Sequence, residues 1–175
     1  ESILIGHAGA LVDSHKGQSV LVEAVSRLRQ TGYKIELVLL GDGPDRVHWQ
    51  QYAQKSPWLH VVGHKAPISR YLGVLDIFAF PSRHEGLGSV LLDVMLAEVP
   101  IVASDVGGIS DIIRDESTGL LVQPNEVNDL VQALERMLRD PVQANVLAKS
   151  ARLAVEGFSP DAMSNAYQQI YRRAD

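Results

Sequence analysis

Asp76-Ile77-Phe78-Ala79-Phe80-Pro81-Ser82 runs through Arg83 and His84 into Glu85-Gly86-Leu87-Gly88-Ser89-Val90-Leu91-Leu92-Asp93. The first part reads as a buried strand ended by Pro81, since proline cannot donate to a sheet ladder. The second reads as a glycine-rich turn opening a mostly apolar helix over residues 90–97, buried on most sides. One carboxylate sits on the turn, and a second follows eight residues later, inside the helix. Two acids around a helix start at the carboxyl end of a strand mark the place where open α/β sheets bind ligands. The helix start also offers unpaired N–H groups and the positive end of the macrodipole to an anion.

Working outward, short β-branched runs alternate with helical periods. Ile3-Leu4-Ile5 is a strand, and Val20, Leu21, Ala24, Val25 and Leu28 share one helical face. Residues 35–40 form a strand closed by Gly41-Asp42-Gly43-Pro44, residues 45–55 a helix, and residues 59–62 a strand ended by Gly63. Residues 100–103 and 119–122 are further strands, with a short helical turn from Gly107-Gly108 to Ile113 between them. Val127, Leu130, Val131, Leu134 and Leu138 mark another helix. In the tail, Ser159-Pro160-Asp161 is a helix start, with Met163, Ala166, Tyr167, Ile170 and Tyr171 on one face. There is no internal repeat or linker. The fold class expected is α/β: a Rossmann-like parallel sheet with helices on both faces, in a single domain over residues 1–175.

The 175 residues carry a net charge of −5 and 46% hydrophobic content. No basic stretch exceeds Arg172-Arg173, so nucleic acid has no electrostatic footprint. Cysteine is absent, which excludes disulfides and thiolate chemistry and fits a reducing compartment. No apolar run is long enough to span a bilayer. The first residues lack the basic region of a signal peptide, and the missing methionine leads us to expect a piece of a longer chain.

Gly86 and Gly88 allow positive φ and close approach of a ligand to the backbone. The amides near Gly88 and Ser89 suit a phosphate, while Glu85 and Asp93 suit sugar and ribose hydroxyls. Together they imply a sugar nucleotide. Taken as an isolated pair, the acids read rather as a solvated loop acid and a surface helix acid; the glycines and the strand-end position bring the two readings level. A second segment, residues 9–17, ends the first strand and places Lys16 where it would neutralise a phosphate. It has neither the P-loop spacing nor a GxGxxG pattern. Gly107-Gly108 is either a third piece of a phosphate pocket or a tight β–α turn that needs glycine. The histidines at 7, 15, 48, 60, 64 and 84 show no metal spacing, and no metal site is assigned. His7 and His84 either face the cleft or serve as core and turn residues.

These segments resemble, in order, the C-terminal, donor-binding domain of the group 1 family of retaining GT-B glycosyltransferases. Residues 81–93 resemble that family's E-x7-E motif. Residues 9–17, Gly41-Asp42-Gly43-Pro44, Pro100 to Asp105, Val106 to Asp111, Ser117 to Val122 and Phe158-Ser159 match as well. The resemblance implies the C-terminal half of a GT-B fold. It implies transfer of a hexosyl group from a nucleotide-diphosphate sugar with retention, without a metal or other cofactor. It makes Lys16 and Glu85 the catalytic pair. Lys16 would contact the diphosphate, and Glu85 the transferred sugar. Gly86, Leu87, Gly88 and Ser89 would hold sugar and diphosphate, and Asp93 the ribose. The implied partners are the donor, an N-terminal domain outside this chain, and an acceptor sugar or glycolipid. The implied location is the cytoplasm, with peripheral contact at the inner face of a membrane, and the implied role is carbohydrate or polysaccharide biosynthesis. A GT-B epimerase or hydrolase, or a non-catalytic nucleotide-sugar-binding module, are the alternatives.

Two departures stand out. The family's usual arginine is Ala10, six residues before Lys16. Its loss removes a charged hydrogen-bond donor worth roughly 1.5–3 kcal/mol. Lys65, Arg70 and Arg83 are the candidate replacements. The family's second glutamate is Asp93, one methylene shorter.

Overall fold

In a computed structural model, residues 2–159 are described. Six parallel strands form one sheet: β1 (Ile3–Ala8), β2 (Ile35–Leu40), β3 (Leu59–Gly63), β4 (Ile77–Phe80), β5 (Ile101–Ser104) and β6 (Leu120–Val122). Their order is β3-β2-β1-β4-β5-β6, the doubly wound arrangement expected of a Rossmann-like sheet. The helices are α1 (Asp13–Lys16), α2 (Gln18–Gln30), α3 (Arg46–Lys55), α4 (Ser69–Leu72), α5 (Val90–Leu96), α6 (Ile109–Ile112), α7 (Val127–Arg139) and α8 (Pro141–Ala154). A 3-10 turn follows at Val155–Phe158.

Because side chains alternate along a strand, each strand feeds two cores. Ile77 and Ala79 of β4 pack with Ile5 and Val102 toward α2, α3 and α7. Phe78 and Phe80 pack with Ile101 and Ala103 toward α4, α5 and α6. Helices therefore cover both faces, as the alternation predicts. Phe78 and Phe80 are fully buried, each contributing about 1.5–3 kcal/mol by leaving water.

Several boundaries differ from expectation. The first strand runs on to Ala8, because its last residues pair with Leu39 and Leu40 of β2. Pro100 and Gly119 precede their strands, and Asp45 is the residue before α3. Helix α5 ends at Leu96, and its burial is one-sided. Leu91, Val94 and Met95 face inward while Leu96 is 53% exposed. Helix α8 was not anticipated. The Asp140 carboxylate accepts from the Gln143 amide at 2.9 Å with Pro141 at the first position, a capped start. Ala144 and Leu147 of α8 join one core and Ala151 the other, so this helix closes the sheet's two layers together. The expected helix at Ser159-Pro160-Asp161 with its Met163–Tyr171 face lies outside the described residues, apart from Ser159 itself.

Candidate active site

The chain leaves β1 toward β2 and β3, then returns to lay β4 on the other side of β1. The loops after β1 and β4 therefore diverge, and a crevice opens between them at the carboxyl ends of the strands. A cleft of about 510 Å³ occupies this place. Gly9, Ala10 and Lys16 line it from the β1 side, Gly41 and Asp42 from the end of β2, and His64, Lys65 and Ile68 from beyond β3. Glu85, Gly88, Ser89 and Val90 line it from the β4 side.

Two loops meet through their charges. The Lys16 ammonium donates to the Glu85 carboxylate, and both side chains are largely shielded from water. The ammonium also lies 5.5 Å from the centre of the Phe80 ring in the cleft wall. Backbone contacts brace this meeting. The amides of Arg83 and His84 donate to the His15 carbonyl at 2.8 and 3.2 Å. Gly17, at φ 65°, leaves room for the Pro81 carbonyl, which would stand 2.2 Å from any added Cβ.

The turn into α5 carries the free donors expected of it. Gly88 takes φ 70°, and the backbone N–H groups of Gly86, Leu87, Gly88, Ser89 and Val90 make no hydrogen bond among the described residues. Gly88 and Ser89 line the cleft, whereas Gly86 and Leu87 stand exposed at its rim. Asp93 sits in the first turn of α5, half-buried, outside the cleft lining, with no side-chain partner among the described residues. The structure thus joins Lys16, Glu85, Gly88 and Ser89, and leaves Asp93 one turn back.

Gly107 and Gly108 act as a turn. Gly107, at φ 52°, lies so close to the Glu85 carbonyl that an added Cβ would stand 1.8 Å from its oxygen. The Gly108 amide donates to the Gly86 carbonyl at 2.9 Å. This pair clamps the acid-bearing loop from behind.

The three candidate cations separate cleanly. Lys65 lines the cleft. Arg83 donates to Ser19 Oγ at 2.9 Å and lies 3.5 Å from Asp13, so its charge serves the loop after β1. Arg70 stands exposed on α4, outside the cleft lining. His84 is an exposed turn residue in edge contact with His15, at 5.9 Å between ring centres. His7 is fully buried, and burial pushes its imidazole down to about 4. Gln18 and His64 carried no signal of a place at the site, whereas Lys65 was already among the candidate replacements for the missing arginine. A glutamine in the first turn of a helix reads as surface, and His64 follows a strand whose glycine signalled only an end.

Geometry and topology together define a Rossmann-like domain with a charged cleft at the carboxyl ends of its strands. Residues 2–140 match the family model described as glycosyl transferases group 1, and the chain belongs to that family. It is 29% identical over 168 residues to an alpha-D-kanosaminyltransferase from Streptomyces kanamyceticus, covering 92% of this chain and 43% of that protein. Anabaena HepE, solved in complex with UDP, superposes with a TM-score of 0.82 at 23% identity, over 99% of this chain and 48% of HepE. The C-terminal domain of LpcC, a group 1 family glycosyl transferase from Francisella tularensis, superposes at 0.77 with 22% identity, over 88% of this chain and 84% of that domain. These structures share the GT-B glycosyltransferase fold with this chain. The chain spans less than half the length of the kanosaminyltransferase and of HepE. Among the described residues no helix is long and apolar enough to cross a membrane.

Proposed function

We propose that this chain is the donor-binding half of a retaining glycosyltransferase, taking a nucleotide-diphosphate sugar and presenting its anomeric carbon to an acceptor held by an N-terminal domain. The observation that carries this reading is the Lys16–Glu85 pair at the β1/β4 crevice. A nucleotide sugar offers each member a new partner: an anionic diphosphate for the ammonium, hydroxyls for the carboxylate. The kanosaminyltransferase name of one relative and the UDP bound to HepE support this class of reaction and donor.

On this reading Lys16 and the amides at Gly88 and Ser89 hold the diphosphate, with Gly86 and Leu87 closing over the sugar. As the bond to the anomeric carbon breaks, negative charge grows on the leaving diphosphate, and fixed donors stabilise it without reorganising. Glu85 accepts from sugar hydroxyls and fixes the ring for attack. Asp93 reaches the ribose once α5 and the donor meet. No step requires a metal or other cofactor. The acceptor is a sugar or glycolipid, and the reaction runs in the cytoplasm, beside the membrane when the acceptor is a lipid.

The test is calorimetry of the full-length protein against UDP-, GDP- and ADP-sugars, followed by NMR of the product's anomeric centre. We expect one donor to bind and the product to keep the donor's anomeric configuration. Binding by none of the three, or a product of inverted configuration, overturns the reading.

A further inference from the structure

A buried polar chain runs beneath the cleft. His7 Nδ1 lies 3.1 Å from the Ala79 carbonyl, so in the neutral ring Nδ1 carries the proton and donates to that oxygen. The Nε2 lone pair is then free to accept. Gln18, also fully buried, donates through Nε2 to the Ala10 carbonyl at 2.9 Å, and the same nitrogen lies 3.4 Å from His7 Nε2. An amide nitrogen has two hydrogens, enough for both contacts. The chain thus ties β4, β1 and the first turn of α2 to Ala10, a lining residue of the cleft. The His7 ring packs against Phe80 at 5.9 Å, the ring that also faces Lys16.

The arrangement is costly as packing alone. Gln18 Oε1 is buried with no partner among the described residues. An apolar side chain of similar length would avoid that desolvation. What the glutamine gains is a grip on the Ala10 backbone. Ala10 has no charged side chain, and its own N–H makes no hydrogen bond among the described residues. A backbone donor is useful to an anion only if its segment is held still.

We propose that Gln18, oriented by His7, is a positioning residue that fixes the Gly9–Ala10 segment as part of the diphosphate site beside Lys16. This rests on the donor reading given above. A protonated His7 would turn a second N–H against the Gln18 amide, and burial keeps the ring neutral.

The experiment uses the full-length protein and calorimetry with UDP, GDP and ADP and their monophosphates. Wild type identifies the base. Gln18→Leu should weaken the diphosphate by about tenfold, the scale of one hydrogen bond to a charged group, while the monophosphate changes by less than about twofold. His7→Phe keeps the ring and should act in the same direction. The double variant should be no worse than Gln18→Leu, since the two residues act as one chain. Should Gln18→Leu fail to fold, Gln18→Met carries the comparison, because it keeps the length and loses the donation. Equal losses for mono- and diphosphate, unchanged diphosphate binding, or additive losses in the double variant overturn the proposal. Absence of diphosphate binding by wild type overturns the donor reading and this proposal together, a result distinct from the other three.

Discussion

The Lys16 ammonium and the Glu85 carboxylate, 69 residues apart in sequence, are ion-paired across the crevice between β1 and β4. Each is the other's partner until a ligand supplies something better. Removing either one therefore has opposite consequences for an anionic ligand.

Glu85→Gln releases the ammonium. On the proposed function, the nucleoside diphosphate should bind as tightly as in wild type or more tightly, while sugar transfer by the full-length protein falls steeply through loss of the Glu85 carboxylate. Lys16→Ala should weaken the same diphosphate by about tenfold to a hundredfold. Calorimetry with the diphosphate alone, beside a transfer assay, separates the two effects. Parallel losses of binding in both variants would contradict this division of labour.

Stability should fall in acid through His7. Its ring is depressed from 6.5 to about 4 by burial and by Lys16, against the raising pull of the Ala79 carbonyl and Glu85. Between these values the unfolded chain binds a proton that the native ring refuses, so unfolding becomes easier as pH drops. Above about 6.5 the effect is absent. The full window is worth about 3 kcal/mol. Thermal melts from pH 7 to 5 should show a slope for wild type that His7→Phe flattens.

Gly107→Ala should be severe and Gly86→Ala mild. At Gly107 a Cβ meets the Glu85 carbonyl oxygen and the backbone has positive φ, whereas nothing lies within 4 Å of a Cβ at Gly86. The left-handed conformation alone costs an alanine about 1–2 kcal/mol. Melting temperatures should rank the pair, and Gly107→Ala should also slow transfer by displacing Glu85.

Lys65→Ala should weaken diphosphate binding and lessen its salt dependence, since Lys65 lines the cleft. Arg83→Ala should act on stability first, because its guanidinium holds Ser19 and Asp13. Arg70→Ala should do neither. Titrations at two ionic strengths test all three.

Where the fold was legible, local pattern and tertiary burial agreed. Ile35–Leu40, apolar but for Glu36, and the fully apolar Ile77–Phe80 are closed by Gly41 and Pro81, and they are strands to the residue. The carbonyl-to-glycine approach at Gly17 and Gly107 was legible only as a glycine in a turn, since the partner lies on another loop. Helix α8 carried a readable Asp140-Pro141 start. Its exposed Val142, Val146 and Leu153 blurred the apolar stripe that periodicity relies on. In the cleft, Lys16 and Glu85 announced themselves by their place at strand ends. Gln18 did not, because its role depends on a histidine eleven residues away on a different element.

The glycine contacts impose a rule on redesign. Gly17 seats Pro81 and Gly107 seats Glu85, so the loops bearing the two charges are meshed backbone to backbone and tolerate change only as a set. The segment from His64 to Ile68 borders the same cleft and takes no part in that mesh. A library confined to those five positions would vary the cleft's lining while leaving the Lys16–Glu85 pair in register.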